Sequence, residues 1–253
     1  MIVKTTDISS LGLAGVRTFI GATVLLLFVD KKVANFRRLI KHGLVLGPLL
    51  ALHWVAMFES INLNSIAVGI GLVFTFPFFI ILMKLFARNS VSRRQIALVV
   101  VGFFGVYLLL DVDQISSSLG VFYGLLSAIM IAFLIIYGAP VSKDLGGLNV
   151  AFSQVFIAAL CLSPFTFKNV GWITSNILIS LFLGGVLTGL GLVIYWYSVK
   201  ILSPLAVGTI TYTEPMTGVL LGALLLNESL SAGQLLGFGL VLFAGIMQVL
   251  IGK

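Results

Sequence analysis

Glu214, Arg17 and His53 are titratable side chains that lie inside long apolar runs of this 253-residue chain. A charge at the centre of such a run costs about 2.5–3.5 kcal/mol on membrane-insertion scales, so each of these residues calls for a role. Glu214 precedes Pro215, which lacks a backbone donor and loosens the turn before it. Thr211, Glu214, Gly218 and Gly222 follow at spacings of 3, 4 and 4 and share one helical stripe. A stripe that is first polar and then small faces protein or a cavity, and a carboxyl held there is placed to carry a proton. The alternative is that Glu214 pairs with a basic or hydroxyl group and fixes packing. Its first-half counterpart is Phe76, so a proton role would be one-sided.

Arg17 could hold an anionic substrate group, pair with Glu214 or Glu59, or snorkel its stem to the interface. His53, beside Trp54, reads as a proton relay or as a hydrogen-bonded core histidine. Glu59, with Asn62 and Asn64 close by, reads as a solvated rim acid. Thr188, Gly191 and Tyr195 share a second stripe that could line a cavity and stack on a planar ligand. Trp196 and Tyr197 beside it read as an interfacial aromatic belt. Thr75 and Tyr212 complete the candidate lining, and Pro77 and Pro215 are the candidate helix breaks. His42 and His53 are far apart, there is no HExxH or paired-aspartate motif, and no metal or cofactor site is expected. Asp111 and Asp113 read as a solvated loop. The single cysteine, Cys161, permits no internal disulfide.

The elements that must position these residues follow from composition. Sixty per cent of the residues are hydrophobic and only 9% are charged, against roughly 25% in a soluble domain. That excludes a water-soluble fold and a disordered or nucleic-acid-binding chain, despite a net charge of +7. The partners expected are the lipid bilayer and a small molecule. Nine continuous apolar stretches are predicted to cross a membrane, over residues 8–29, 43–61, 64–86, 94–110, 119–138, 150–166, 176–198, 204–226 and 233–251. Continuous runs argue against a β-barrel, whose strands alternate.

Alternating these spans puts twelve of the fifteen bases on one side. Only Lys4 and Lys168 fall on the other, and Arg17 lies within a helix. The positive-inside rule then places the C-terminus in the cytoplasm and Met1 outside.

The sequence repeats itself. Ala67-Val68-Gly69 recurs as Ala206-Val207-Gly208. Ser90-Val91-Ser92 with Gln95 recurs as Ser229-Leu230-Ser231 with Gln234 at the same offset of 139. Phe76-Pro77 lies opposite Glu214-Pro215. The chain thus divides into a first repeat over 1–112 with four helices and a second over 113–253 with five. A five-helix repeat reverses direction in the membrane, so the two are inverted. The expectation is a ten-helix plan whose first helix is missing before Met1. Pairs of glycines four apart, at Gly43/Gly47, Gly120/Gly124, Gly185/Gly189, Gly218/Gly222 and Gly233/Gly237, allow close helix contact.

These features resemble the EamA family of the drug/metabolite transporter superfamily. The likeness is carried by Leu13-Ala14-Gly15-Val16-Arg17, Phe76-Pro77, and the Glu214-Pro215 helix ending in Leu226-Asn227-Glu228-Ser229-Leu230, with Gln234 and the Gly237 helix after it. The first half departs from the family in having Asn89 where the acidic residue usually sits, as Glu228 does in the second. The resemblance implies an all-α, multi-pass cell-membrane transporter of small metabolites such as amino acids or drugs. No ATP-binding loop is present, so flux would be gradient-driven or passive, with proton coupling through Glu214. Alternating access would then rock the halves about a cavity lined by Arg17, His53, Thr75, Tyr195, Tyr212 and Glu214. Two other readings stand beside it: a membrane assembly subunit or non-functional fragment, and an intramembrane enzyme. Neither a nucleophile–base pair nor a ligand cluster speaks for the enzyme.

Overall fold

The structure is a computed structural model that describes residues 3, 6–29, 36–110, 115–217 and 231–251. The described residues are helical, with no strand among them. Long apolar runs leave the backbone no partner but itself in hydrocarbon, and the helix satisfies every interior N–H and C=O locally.

The helices, in chain order, are α1 (Ser10–Leu26), α2 (Phe36–Leu63), α3 (Ile66–Val73), α4 (Phe76–Phe86) and α5 (Arg93–Leu110). They continue with α6 (Ser118–Leu145), α7 (Gly147–Lys168), α8 (Val170–Ser175) and α9 (Ile177–Leu181). A π-helical segment (Phe182–Leu190) leads into α10 (Gly191–Ile201), then α11 (Pro204–Ile210), a helical segment over 213–217, and α12 (Ala232–Ile251). Among the described residues, seven segments are long and apolar enough to cross a membrane: α2, α3 with α4, α5, α6, α7, the run from α9 through α10, and α12. Of the other two predicted spans, α1 is 17 residues long, and 204–226 runs into residues outside the description. Also outside it are Lys31, Lys32, Asp111, Asp113, Gly218, Gly222 and the Leu226–Leu230 motif. Helices α2 and α6 each reach 28 residues, longer than the apolar runs that announced them.

Starts and stops follow local chemistry. The Ser9, Ser65 and Ser203 hydroxyls accept from the N–H groups of Gly12, Val68 and Ala206, capping α1, α3 and α11. Two reciprocal capping boxes open α5 and α12. In the first, Ser92 N–H donates to Gln95 Oε1 (3.0 Å) and Gln95 N–H to Ser92 Oγ (3.2 Å). In the second, Ser231 and Gln234 make the same pair at 2.9 and 3.2 Å. Gly146, at φ 84°, makes the turn from α6 to α7 in a conformation that favours glycine.

The chain forms two compact units. Unit 1 comprises Met1–Phe58 and Phe133–Ile201, and unit 2 comprises Glu59–Ala132 and Leu202–Lys253. In unit 1, α1 packs on α7 and on the π segment. Small residues permit the approach: a Cβ on Gly21 would meet the Gly184 carbonyl oxygen at 3.0 Å, and one on Gly15 would meet Thr166 Oγ1 of α7 at 2.5 Å. In unit 2 the principal seam joins α5 to α12. There Gly237 lies so near that an added Cβ would sit 2.7 Å from the Gly105 oxygen. Exposed apolar residues such as Phe86, Leu178 and Ile201 lie on helix faces that suit lipid.

Candidate functional site

Unit 2 contains two interrupted helices. The first is α3, which stops at Val73; after Phe74 and Thr75 the chain resumes as α4, with Pro77 in its first turn. The second is α11, which stops at Ile210; after Thr211 and Tyr212 a helix resumes over 213–217, where Pro215 lies. Proline explains where each break falls, since it cannot donate back to the preceding turn and suits a helix start. The carbonyls freed by the breaks are taken up by hydroxyls. Thr75 Oγ1 donates to the Leu72 oxygen (2.6 Å), Thr211 Oγ1 to Gly208 (2.8 Å) and Thr213 Oγ1 to Ile210 (2.8 Å).

The two breaks pack against each other. A Cβ on Gly208 would meet Phe76 Cε2 at 3.1 Å and Pro77 Cγ at 3.4 Å. The Phe74 and Tyr212 rings meet edge to face, with centroids 5.9 Å apart. Tyr212 is fully buried, its ring lying against Gly102 of α5. Its hydroxyl has no hydrogen-bond partner among the described residues. Glu214 is exposed, in the first turn after the second break and not in the middle of a continuous helix. Its N–H donates to the Thr211 oxygen (2.9 Å). Thr75, Pro77, Tyr212, Glu214 and Pro215 thus belong to one constellation in unit 2.

The remaining candidates, Arg17, His53 and Tyr195, belong to unit 1. Arg17 Nε donates to Thr188 Oγ1 (3.2 Å), and its guanidinium carbon lies 4.3 Å from the Trp54 ring centroid and 5.7 Å from that of Phe58. Two aromatic faces and a hydroxyl dipole partly replace the water that a cation in an apolar helix gives up. The π-helical bonding of Phe182–Leu190 sets this contact, because Thr188 Oγ1 also donates to Leu183 O, five residues back (2.8 Å). His53 is buried in α2. Tyr195 packs edge to face on Trp196.

Trp196 is not a belt residue. It is fully buried, and its Nε1 donates to Gln154 Oε1 (2.7 Å). A buried indole N–H needs an acceptor, which the Gln154 side chain supplies. Tyr197 is half exposed. Sequence reasoning missed Gln154 and Gln248, both fully buried within apolar helices. The signal was present, since an amide inside an apolar run calls for a partner as Glu214 does. Among the described residues no group of three or more His, Cys, Asp or Glu is placed to hold a metal ion.

Comparison with known proteins adds to this geometry. A model of the EamA-like transporter family matches residues 118–250, just over half of the chain. An uncharacterized transporter of Archaeoglobus fulgidus is 22% identical over 250 residues, 98% of this chain and 89% of its own. The uncharacterized transporter YxxF of Bacillus subtilis (strain 168) is 22% identical over 228 residues, 86% of this chain and 72% of its own. A protein crystal structure matches 100% of this chain and 92% of its own with a TM-score of 0.78. At 15% identity that likeness speaks for the fold alone.

Proposed function

The chain belongs to the EamA-like transporter family, and from that premise we propose that it is a secondary transporter of small metabolites such as amino acids or drugs. It works by alternating access between two inverted repeats, over 1–112 and 113–253, in the cell membrane. Its C-terminus is cytoplasmic and its flux is independent of ATP. The observation that carries this reading is the meeting of two interrupted helices in unit 2, at corresponding positions of the two halves. Broken helices at matching places in a repeat are where secondary transporters bind substrate and coupling ions, because the freed backbone and nearby side chains offer polar groups at membrane depth. The matching capping boxes of α5 and α12 support the repeat independently.

In this reading Tyr212 and Thr75 contact substrate at the paired break, and Glu214 carries the coupled proton. Arg17 is the candidate in unit 1 for an anionic group, and His53 and Tyr195 are secondary candidates there. The test is reconstitution in liposomes, with uptake of pooled radiolabelled amino acids and other metabolites under an imposed pH gradient. Saturable flux that collapses with the gradient is expected, and Glu214→Gln should remove its pH dependence. No saturable flux from any pool would overturn the transporter reading. Full pH-dependent flux in Glu214→Gln would remove the proton role alone.

A further inference from the structure

The second break is polar where the first is apolar. At the offset of 138 that sets Pro77 against Pro215, Tyr212 stands where the first half has Phe74, and Glu214 where it has Phe76. A third exchange lies on α12. At the offset of 139 that sets Gln95 against Gln234, Gln248 stands where α5 has Leu109. Phe74, Phe76 and Leu109 are buried apolar side chains and need no partner. Tyr212 and Gln248 are fully buried too, yet the Tyr212 hydroxyl and both polar atoms of the Gln248 amide have no hydrogen-bond partner among the described residues. Apolar residues thus suffice to close these positions, and a closed seam that holds polar groups unpaired is the less stable one.

The polar groups belong to one seam of unit 2. Gly237, Val241, Ala244, Gly245 and Gln248 make the buried face of α12. That face packs on α5 and on α11. A Cβ on Gly102 of α5 would lie 2.6 Å from the Tyr212 ring and 3.2 Å from Ala244 Cβ, and one on Gly245 would lie 4.0 Å from Ile210 Cα. Gln248 follows on the same face, about one turn past this crossing. Helix α11 is only seven residues long, starting after the Ser203 cap and ending at the break, so it is built to move as a unit.

We propose that Gln248 is the positioning residue of a gate: α11 parts from α12 during transport, and the Gln248 amide is hydrated only when that seam is open. The closed seam strands the Tyr212 hydroxyl and the amide, whereas opening lets water reach both and offsets the cost of unpacking. The first break, with Phe74 and Phe76, gains nothing from water and stays shut as the surface against which the second moves. The proposal rests on the transporter reading and names its moving part.

The test uses the full chain in lipid vesicles. Cys161, the only cysteine, is replaced by serine, and a cysteine is placed either at Val207 of α11 or at its counterpart Val68 of α3, both buried. A water-soluble maleimide, present on both faces of the membrane, then reports which seam opens. Val207→Cys should label about tenfold faster than Val68→Cys, or more. Adding Gln248→Leu, the residue that the first half uses there, should slow labelling of Val207→Cys about tenfold, since it relieves the closed state alone. It should also lower the maximal rate of uptake with little change in KM, and raise the thermal midpoint. Gln248→Asn keeps an amide and should restore labelling. Equal labelling of the two cysteines would overturn the proposal, as would Gln248→Leu that labels at the parent rate. A lower midpoint with faster labelling in Gln248→Leu would also overturn it, by showing a residue that only packs. Labelling needs no substrate, so equal rates sink the gate, while absence of saturable flux sinks the transport reading separately.

Discussion

The buried hydroxyl of Tyr212 gives the sharpest prediction. Its ring is fully buried between Phe74 and Gly102, and its oxygen has no partner among the described residues. A buried polar group left unsatisfied costs about 1–3 kcal/mol. Tyr212→Phe removes that cost and keeps the ring. The void left by the oxygen, roughly 10 Å³, returns about 0.2 kcal/mol at about 24 cal/mol per Å³. The substitution should therefore stabilise the resting protein by about 1–2.5 kcal/mol. At about 2–4 °C per kcal/mol for a chain of about 250 residues, the thermal midpoint should rise by roughly 2–10 °C. The assay is thermal unfolding in lipid nanodiscs followed by tryptophan fluorescence, with Tyr107→Phe, at a half-exposed tyrosine, as the control that should not move. If Tyr212 contacts substrate, flux in liposomes should fall while the midpoint rises, the trade-off of a group kept for function at the expense of stability. A midpoint that drops in Tyr212→Phe would refute the reasoning, since it would mean the hydroxyl makes a stabilising bond in the resting protein.

Two further predictions concern the helices of unit 2. Gly237→Ala places a Cβ 2.7 Å from the Gly105 oxygen across the α5–α12 seam and should cost about 1–3 kcal/mol, whereas Gly239→Ala meets nothing within 4 Å and should be neutral or slightly stabilising in the same thermal scan. Arg88 holds φ 57° just past α4, where its N–H donates to the Leu85 oxygen (3.0 Å) and the Asn89 N–H to that of Lys84 (2.9 Å), the pattern of a Schellman cap normally closed by glycine. Arg88→Gly should raise the midpoint by a degree or more, against no gain for Arg88→Ala, because relief of about 1–2 kcal/mol of left-handed strain exceeds the extra chain entropy of glycine.

Much of the helical plan was legible because membrane depth leaves the chain so few choices. An apolar run of about 20 residues must be helical whatever its neighbours do, and its length reports the crossing. Boundaries were less legible. Helices α2 and α6 continue past their apolar runs into polar residues, where capping and tertiary contact decide the end. The breaks were half visible: Pro77 and Pro215 marked the places, yet the meeting of Phe74 with Tyr212 depends on how α11 lies against α4 and α5. Trp196 shows the limit most plainly. Its position near the end of an apolar run suited an interfacial belt as well as a core, and only its packing with Gln154 chose the core.

By itself, then, the sequence determined the solvent, the all-helical class and the family, because composition, run length and the Phe76-Pro77 and Glu214-Pro215 motifs are properties of the chain read locally. Tertiary structure alone decided which polar groups meet. Arg17 lies over Trp54 and reaches Thr188 because Gly21 and Gly184 let α1 close on the π segment. Tyr212 lies against Gly102 because that residue has no side chain to hold the ring away. Contacts between residues a hundred positions apart depend on how closely two backbones approach, and that distance is fixed by packing and not by spacing along the chain.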